Sequence, residues 1–144
     1  MRNYCLLMIL LALCSRAHAT DNAYSSVNGI DSGKITLYVF TGSDWCANCK
    51  RLEKNILTDS VFLSSIDSLK IAIVFIDFPQ RKKQSQETIQ NNTLLAERFD
   101  FNGTFPTLVL SSPTTSNFLS FYYKDENTLT FIRLIIAKSK LLHD

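Results

Sequence analysis

The stretch ITLYVFTGSDWCANCKRLEKNIL, residues 35–57, contains a strand pattern, a turn and a helix pattern in direct succession around two cysteines. Residues 35–40 are β-branched, aliphatic or aromatic without polar alternation, which predicts a strand covered on both faces of a sheet. Residues 41–44 are of types that form turns and start helices. Leu52, Ile56 and Leu57 then share one helical face, so we expect a helix from Trp45 to Leu57.

The rest of the chain continues this alternation of strands and helices. A basic, polar loop at 80–86 separates two of the elements; we expect a plain solvated loop, with a patch for a partner as the alternative. The resulting order is strand, helix, strand, helix, strand, strand, helix. This order predicts an α/β fold with a central mixed sheet and helices on both faces. Beyond residue 57 the expected elements are strands at 69–77, 106–110 and 117–123 and helices at 87–100 and 127–142.

The first nineteen residues have the layout of a secretory signal, with Arg2 before an apolar run and the small residues Ala17 and Ala19 at its end. We expect cleavage after Ala19 and no stable membrane insertion afterwards, because the run is about half the length of a membrane span. Lipidation of Cys14 and an uncleaved anchor are the alternatives. Residues 20–34 are polar and predict a flexible segment with, at most, a short edge strand, and 35–144 form the domain.

Removal of the signal leaves a neutral chain with one cysteine pair. Of 15 basic residues Arg2 and Arg16 leave, so 13 remain and balance 13 acidic residues. A neutral chain offers no electrostatic basis for binding nucleic acid. About 125 residues can bury a core without disulfide staples, and a bridge across so short a loop would restrict the unfolded chain little. The pair therefore indicates chemistry.

Cys46 and Cys49 fall where the first strand ends and the helix begins. The first cysteine of such a pair lies among backbone N–H groups without helical partners, which favour thiolate over thiol. We therefore expect Cys46 to be the nucleophile and Cys49, one turn deeper, to resolve the mixed disulfide. An inert disulfide and a zinc site are alternatives, but only His143 remains as a further soft ligand, so we expect no metal and no cofactor.

The segments WCANCK (45–50), DFP (77–79) and TFPT (104–107) together resemble the thioredoxin superfamily, and within it the exported Dsb-type oxidoreductases. The resemblance covers about residues 35–140 and implies a thioredoxin-like fold. It also implies that Pro106 follows a cis peptide bond, so that the backbone of Phe105 pairs with an extended substrate. Trp45 matches the aromatic residue that flanks the nucleophile, with simple packing as the alternative role.

The chain departs from this family at the position six residues before the first cysteine, where a buried aspartate assists the second cysteine. Phe40 stands there. Glu53, four residues after Cys49 on the same helical face, matches a family glutamate and is the expected substitute; a surface ion pair with Lys50 or Lys54 is the alternative. Asp77 is expected to cap a loop. Asn48 stands where thioredoxin has a proline between its cysteines, so the reduction potential of thioredoxin cannot be assumed for this chain.

The resemblance implies a periplasmic thiol:disulfide oxidoreductase, most simply a reductase of disulfides in exported proteins. Such a reductase needs electrons from a membrane donor of DsbD type, because the periplasm is otherwise held oxidising. A disulfide oxidase or isomerase is the alternative within the enzyme class. Outside it, a redox-inactive binding module or a copper metallochaperone with the same fold is the alternative, although the chain has no methionine after residue 8 to bind copper.

Overall fold

A computed structural model describes residues 34–142 of the chain. The expected signal peptide at 1–19, nearly all of the 20–34 segment and His143 lie outside the described residues. Within 34–142, no helix combines the length and the apolar character needed to cross a membrane.

A four-stranded mixed sheet forms the centre of the fold. Its strands are β1 (Thr36–Thr41), β2 (Ala72–Asp77), β3 (Thr107–Ser111) and β4 (Phe118–Tyr122), in the spatial order β2-β1-β3-β4. β1 pairs in parallel with β2 and antiparallel with β3, which in turn pairs antiparallel with β4. The central strands β1 and β3 are buried along nearly their whole length, as their unbroken apolar sequences predict.

Helices cover both faces of this sheet. Helix α1 (Ala47–Leu52) runs on into a π-helical turn (Glu53–Leu57) and is followed by α2 (Ser60–Ser68), α3 (Gln86–Arg98) and α4 (Thr128–Leu141). The larger apolar core holds side chains of α1, α2 and α4, among them Leu52, Phe62 and Phe131, against one face of the sheet. The smaller core packs Leu95 of α3 and Phe99, the residue that caps the end of α3, against the other face. The predicted α/β fold, a thioredoxin-like central mixed sheet flanked by helices on both faces, is confirmed.

Two details of the expected element order are wrong. Helix α2 is not among the expected elements; Asp59 begins it, because its Oδ1 accepts the backbone N–H groups of Val61 at 2.8 Å and Phe62 at 3.1 Å. The second strand begins at Ala72 rather than 69, because Leu69 ends α2 and Lys70 has a left-handed backbone with φ 56°. β2 is also an edge strand, so several of its side chains are only half-buried.

The remaining boundaries differ from expectation by one or two residues. The main exception is the predicted helix at 45–57, which begins at Ala47 and changes to π-helical geometry at Glu53. In that turn the Thr58 N–H donates to the Glu53 carbonyl at 3.1 Å, five residues back. The π-helical turn lies directly after the segment that carries both cysteines, a position at which such turns frequently accompany functional sites.

Candidate active site

The cysteine pair forms the start of helix α1. Cys46 is the N-cap residue, and its Sγ accepts the backbone N–H of Cys49 at 3.1 Å. The two sulfurs are joined as a disulfide, with Cα atoms 5.3 Å apart. Cys46 is 7% exposed and Cys49 is 3% exposed, so Cys49 is the deeper of the two by a small margin. The helix-start residue is therefore the cysteine itself and not one of the turn residues at 41–44.

The turn before the pair is bonded to the end of β2. Thr41 lies opposite Asp77 in the parallel register, and the Phe78 N–H donates to the Thr41 carbonyl at 2.8 Å. One step further, the Ser43 N–H donates to Asp77 Oδ1 at 2.8 Å and the Ser43 hydroxyl donates to Asp77 Oδ2 at 2.6 Å. Asp77 thus holds the turn that precedes the pair, which agrees with its expected role as a loop-capping residue.

Asp44 holds the loop that follows β2. Its Oδ1 accepts the N–H of Gln80 at 3.0 Å, and its Oδ2 accepts those of Arg81 at 2.7 Å and Lys82 at 3.0 Å. These N–H donors, Gln80 first, hold the pKa of the Asp44 carboxyl below its ordinary value of 3.8, although partial desolvation opposes them. Sequence reasoning places Asp44 only in a turn, since nothing local indicates that its partners lie 36 to 38 residues away.

Trp45 lies between the cysteine pair and the proline loop. Its indole Nε1 donates to the Phe78 carbonyl at 2.8 Å, and its ring meets that of Phe105 edge to face at 5.2 Å between centroids. The Phe105–Pro106 peptide bond is cis. Gly42 makes room for the indole, since a Cβ at that position would overlap the ring. The structure therefore brings Trp45, the neighbour of Cys46 in the chain, into contact with Phe105, which precedes the cis Pro106.

A cavity of about 410 Å³ is lined by Cys49 and by two residues that carry carboxylates. Glu53 and Asp77 both line it, together with Lys82. The Glu53 N–H donates to the Cys49 carbonyl, which places the two residues one helical turn apart on the same face. Within the described residues Glu53 forms no ion pair with Lys50 or Lys54, and the Lys50 Nζ donates instead to the Asp44 carbonyl at 3.1 Å.

Phe40 does not face Cys49. Its fully buried ring stacks on that of Phe101 at 4.4 Å and belongs to the core on the α3 side of the sheet. The β1 residues that line the cavity with Cys49 are Val39 and Thr41, which alternate with Phe40 along the strand. A carboxylate at position 40 of this chain would therefore be buried among aromatic rings, on the wrong face of β1 to assist Cys49.

Asn48, between the cysteines, is held by a neighbour on α1. The Arg51 Nη2 donates to Asn48 Oδ1 at 2.6 Å, while Arg51 Nε and Nη2 donate to the two carboxylate oxygens of Asp125 at 3.0 and 3.3 Å. The ion pair is about half exposed, so its own contribution to stability is small. Its effect is to connect Asn48, through Arg51, to the loop before α4.

The chemistry of the site is that of thiols and carboxylates. Across residues 34–142, no group of three or more His, Cys, Asp and Glu side chains is arranged to hold a metal ion. A strand followed by a Cys-x-x-Cys pair at a helix start, in a chain with a cis Phe105–Pro106 bond, indicates the class: the fold is thioredoxin-like, and the site resembles those of the thioredoxin superfamily. Within that superfamily the chain resembles the Dsb-type oxidoreductases.

Comparisons with known proteins support this resemblance. The chain is 39% identical over 79 residues to the disulfide bond reductase DsbH of Chlamydia pneumoniae, in a match that covers 55% of this chain and 46% of that relative. A solved structure of a DsbH oxidoreductase has a TM-score of 0.68 and 27% identity, and the match covers 76% of this chain and 74% of the other. The aligned part thus spans about half the length of the curated relative.

Two more distant structures share the fold. The C-terminal domain of DsbD from Neisseria meningitidis, in its oxidised form, has a TM-score of 0.52 and 14% identity over 73% of this chain and 80% of the domain. A thioredoxin from Thermus thermophilus has a TM-score of 0.50 and 15% identity over 77% of this chain and 80% of the other. No family model matches the chain.

Proposed function

We propose that this chain is an exported thiol:disulfide oxidoreductase that reduces disulfides of exported proteins in the periplasm through the Cys46/Cys49 couple. The observation that carries the proposal is the position of Cys46: its sulfur caps the start of α1, and the preceding Trp45 contacts Phe105, which is followed by the cis Pro106. A thiolate at a helix N-cap is stabilised by the backbone N–H groups there. The likeness to a disulfide bond reductase over 55% of the chain supports the direction.

The reaction proceeds in two exchanges. The reduced Cys46 thiolate attacks one sulfur of the substrate disulfide, forms a mixed disulfide and releases the other substrate sulfur as a thiolate, which takes up a proton. Cys49 then loses its proton and attacks the Cys46 sulfur, which restores the Cys46–Cys49 disulfide and releases the second substrate thiolate. Two electrons pass to the substrate, and a membrane donor of DsbD type returns two electrons to the pair.

Glu53 is the proposed acceptor of the Cys49 proton. Glu53 lines the same cavity as Cys49 and follows it by one helical turn. Asp77 lines the same cavity, but both of its oxygens already accept hydrogen bonds from Ser43, so Glu53 is the freer acceptor. Trp45 and the backbone of Phe105, before Pro106, are proposed to hold the substrate segment against Cys46.

Insulin reduction by dithiothreitol tests the activity, with the intact protein compared with Cys46→Ser. We expect the intact protein to accelerate precipitation of the reduced insulin chains and Cys46→Ser to show only the uncatalysed rate. Cys49→Ser is the matched control, since it should retain the first exchange and accumulate the mixed disulfide. Equal rates for the intact protein and Cys46→Ser would instead indicate a redox-inactive binding module or a metallochaperone.

The equilibrium potential of the Cys46/Cys49 couple against glutathione tests the direction. A value near that of thioredoxin, about −270 mV, is expected for a reductase, whereas one near that of DsbA, about −120 mV, would identify an oxidase. An isomerase would be recognised by its rearrangement of scrambled disulfides without net reduction.

A further inference from the structure

The loop after β2 is held next to the cysteine pair by its backbone. Asp44, two residues before Cys46, accepts the N–H groups of Gln80, Arg81 and Lys82 at 2.7–3.0 Å. The Trp45 indole donates to the Phe78 carbonyl, and Gln84 Nε2 donates to the Asp77 carbonyl at 3.0 Å at the other end of the loop. The side chains of Arg81 and Lys83 take no part in these bonds, so they are presented outward from a loop of defined position.

The outward charge of this region is positive. Lys50, Arg81 and Lys83 are exposed, and within 34–142 no carboxylate lies within ion-pair distance of any of them. Glu53, which is exposed, and the half-buried Asp77 line the cavity together with Lys82, so one of these two negative charges has a cation beside it in the same cavity. The Asp44 carboxylate is already bound by the three N–H groups that hold the loop. We define Lys50, Arg81 and Lys83 as the basic rim.

We propose that the basic rim is a docking surface for a partner protein that carries acidic side chains beside the sulfur exchanged with Cys46. This inference rests on the proposed function, whose substrate class it narrows. The hydrogen bonds of Asp44, two residues before Cys46, hold the backbone of Arg81 and Lys82 next to the segment that carries the reactive sulfur. Acidic residues near a substrate disulfide would therefore meet the rim when that disulfide reaches Cys46.

The size of the rim favours a protein over nucleic acid or a membrane surface. The three cations of the rim, or four with the adjacent Lys82, are at or below the lower end of the clusters of about four to eight that bind anionic lipid headgroups. The mature chain, with 13 basic and 13 acidic residues, also has no excess positive charge with which to hold a polyanion. A short acidic segment of a protein needs only a few cations at a defined place.

Matched disulfide peptides test the inference. The protein reduces three peptides at low salt, with dithiothreitol as the electron source. The peptides differ only in the residues that flank the disulfide, which are acidic in one, neutral in the second and basic in the third. We expect kcat/KM for the acidic peptide to exceed that for the neutral one by about tenfold, and the preference to disappear at high salt. Arg81→Glu/Lys83→Glu should remove or reverse the preference and leave the neutral peptide unchanged.

The matched control is Arg133→Glu/Lys140→Glu, which makes the same charge change at exposed positions on α4 and should keep the preference. Because the loop is held by backbone N–H groups, the rim variant should unfold at the temperature of the intact protein. Equal rates for the acidic and neutral peptides, or an equal loss with the control variant, would overturn the inference alone. Failure to reduce any peptide would overturn the proposed function and the inference with it.

A final arm distinguishes a membrane surface from a protein partner. Vesicles of phosphatidylserine and phosphatidylcholine are mixed with the intact protein and with the rim variant. We expect no sedimentation of either with the vesicles. Sedimentation that Arg81→Glu/Lys83→Glu abolishes, without a change in peptide preference, would replace the protein partner with an anionic lipid surface.

Discussion

Ser43 and Asp77 are joined by two hydrogen bonds, one from the Ser43 N–H at 2.8 Å and one from its hydroxyl at 2.6 Å, so that one carboxylate holds the turn before the cysteine pair. These bonds join the carboxyl ends of β1 and β2, which pair in parallel with Thr41 opposite Asp77. The position of Cys46 relative to the rest of the site thus depends on a residue that is distant from it in sequence.

Asp77→Ala is expected to lower the free energy of unfolding by about 2–3 kcal/mol, because two hydrogen bonds to a half-buried charged group are lost. Urea unfolding of the oxidised protein measures the change. Ser43→Ala, which keeps the N–H bond and loses only the hydroxyl bond, should cost about 1 kcal/mol. An Asp77→Ala protein as stable as the intact one would show that the turn is held by other contacts.

Glu53→Gln is expected to slow resolution of the mixed disulfide by about tenfold, because Cys49 loses its nearby proton acceptor while water and Asp77 remain. Rapid-quench kinetics with a single-turnover disulfide substrate measure this step separately from the first attack by Cys46, which should keep its rate. Glu97→Gln, an exposed change on α3, is the matched control. Resolution at the rate of the intact protein would dismiss the role of Glu53.

Gly42→Ala is expected to displace the Trp45 indole, because the added Cβ would occupy the space of the ring. Overpacking of this kind costs about 1–3 kcal/mol, and the Nε1 bond to the Phe78 carbonyl would be strained or lost. Trp45 is the single tryptophan of the chain, so its emission spectrum reports the change directly.

A double variant separates the clash from the conformational effect of removing a glycine. In a Trp45→Ala background, Gly42→Ala should change the unfolding temperature little, because the ring it would meet is absent. The same loss of stability in both backgrounds would attribute the effect to the backbone at Gly42.

The pH dependence of the 80–82 loop should follow Asp44. Its pKa is lower in the folded chain than its ordinary 3.8, chiefly because the Gln80 N–H donates to it, so its stabilising effect is complete above pH 3.8 and is lost as the pH falls through the lowered value. Amide NMR shifts of Gln80, Arg81 and Lys82 should titrate together below pH 3.8. In Asp44→Asn that common titration should be absent; its persistence would assign the titration to another group.

Part of the fold could be predicted because the signals are local. The apolar run at 35–40, the turn residues after it and the period of Leu52 and Ile56 each depend on neighbours in the chain, and all three correspond to observed elements. Helix α2 escaped prediction although Asp59 begins it and Phe62 and Ile66 form its buried face. A helix of nine residues presents few apolar positions, so its period is weak beside the strong strand pattern that follows.

The candidate site divides in the same way. The position of Cys46 and Cys49 at a helix start could be read from the residues around them, since a strand, a turn and a helix meet there in sequence. Sequence spacing aligns Phe40 with the family aspartate that assists the second cysteine, but it does not determine where the side chain at position 40 lies. The strand presents Phe40 to the α3 side, and sequence spacing alone does not show which face of β1 the helix with the cysteines covers.

Sequence patterns alone identified a strand that leads into a cysteine pair at a helix start, because strand period, turn residues and helix caps are interactions between near neighbours. Only the tertiary structure shows the bonds of Ser43 to Asp77 and of Asp44 to residues 80–82. The same is true of the cavity that Cys49 shares with Glu53 and of the exposed basic rim. These features exist because β1 and β2 pair in parallel in one register. That register is set by the packing of a crossover of about thirty residues, and no local sequence signal determines it.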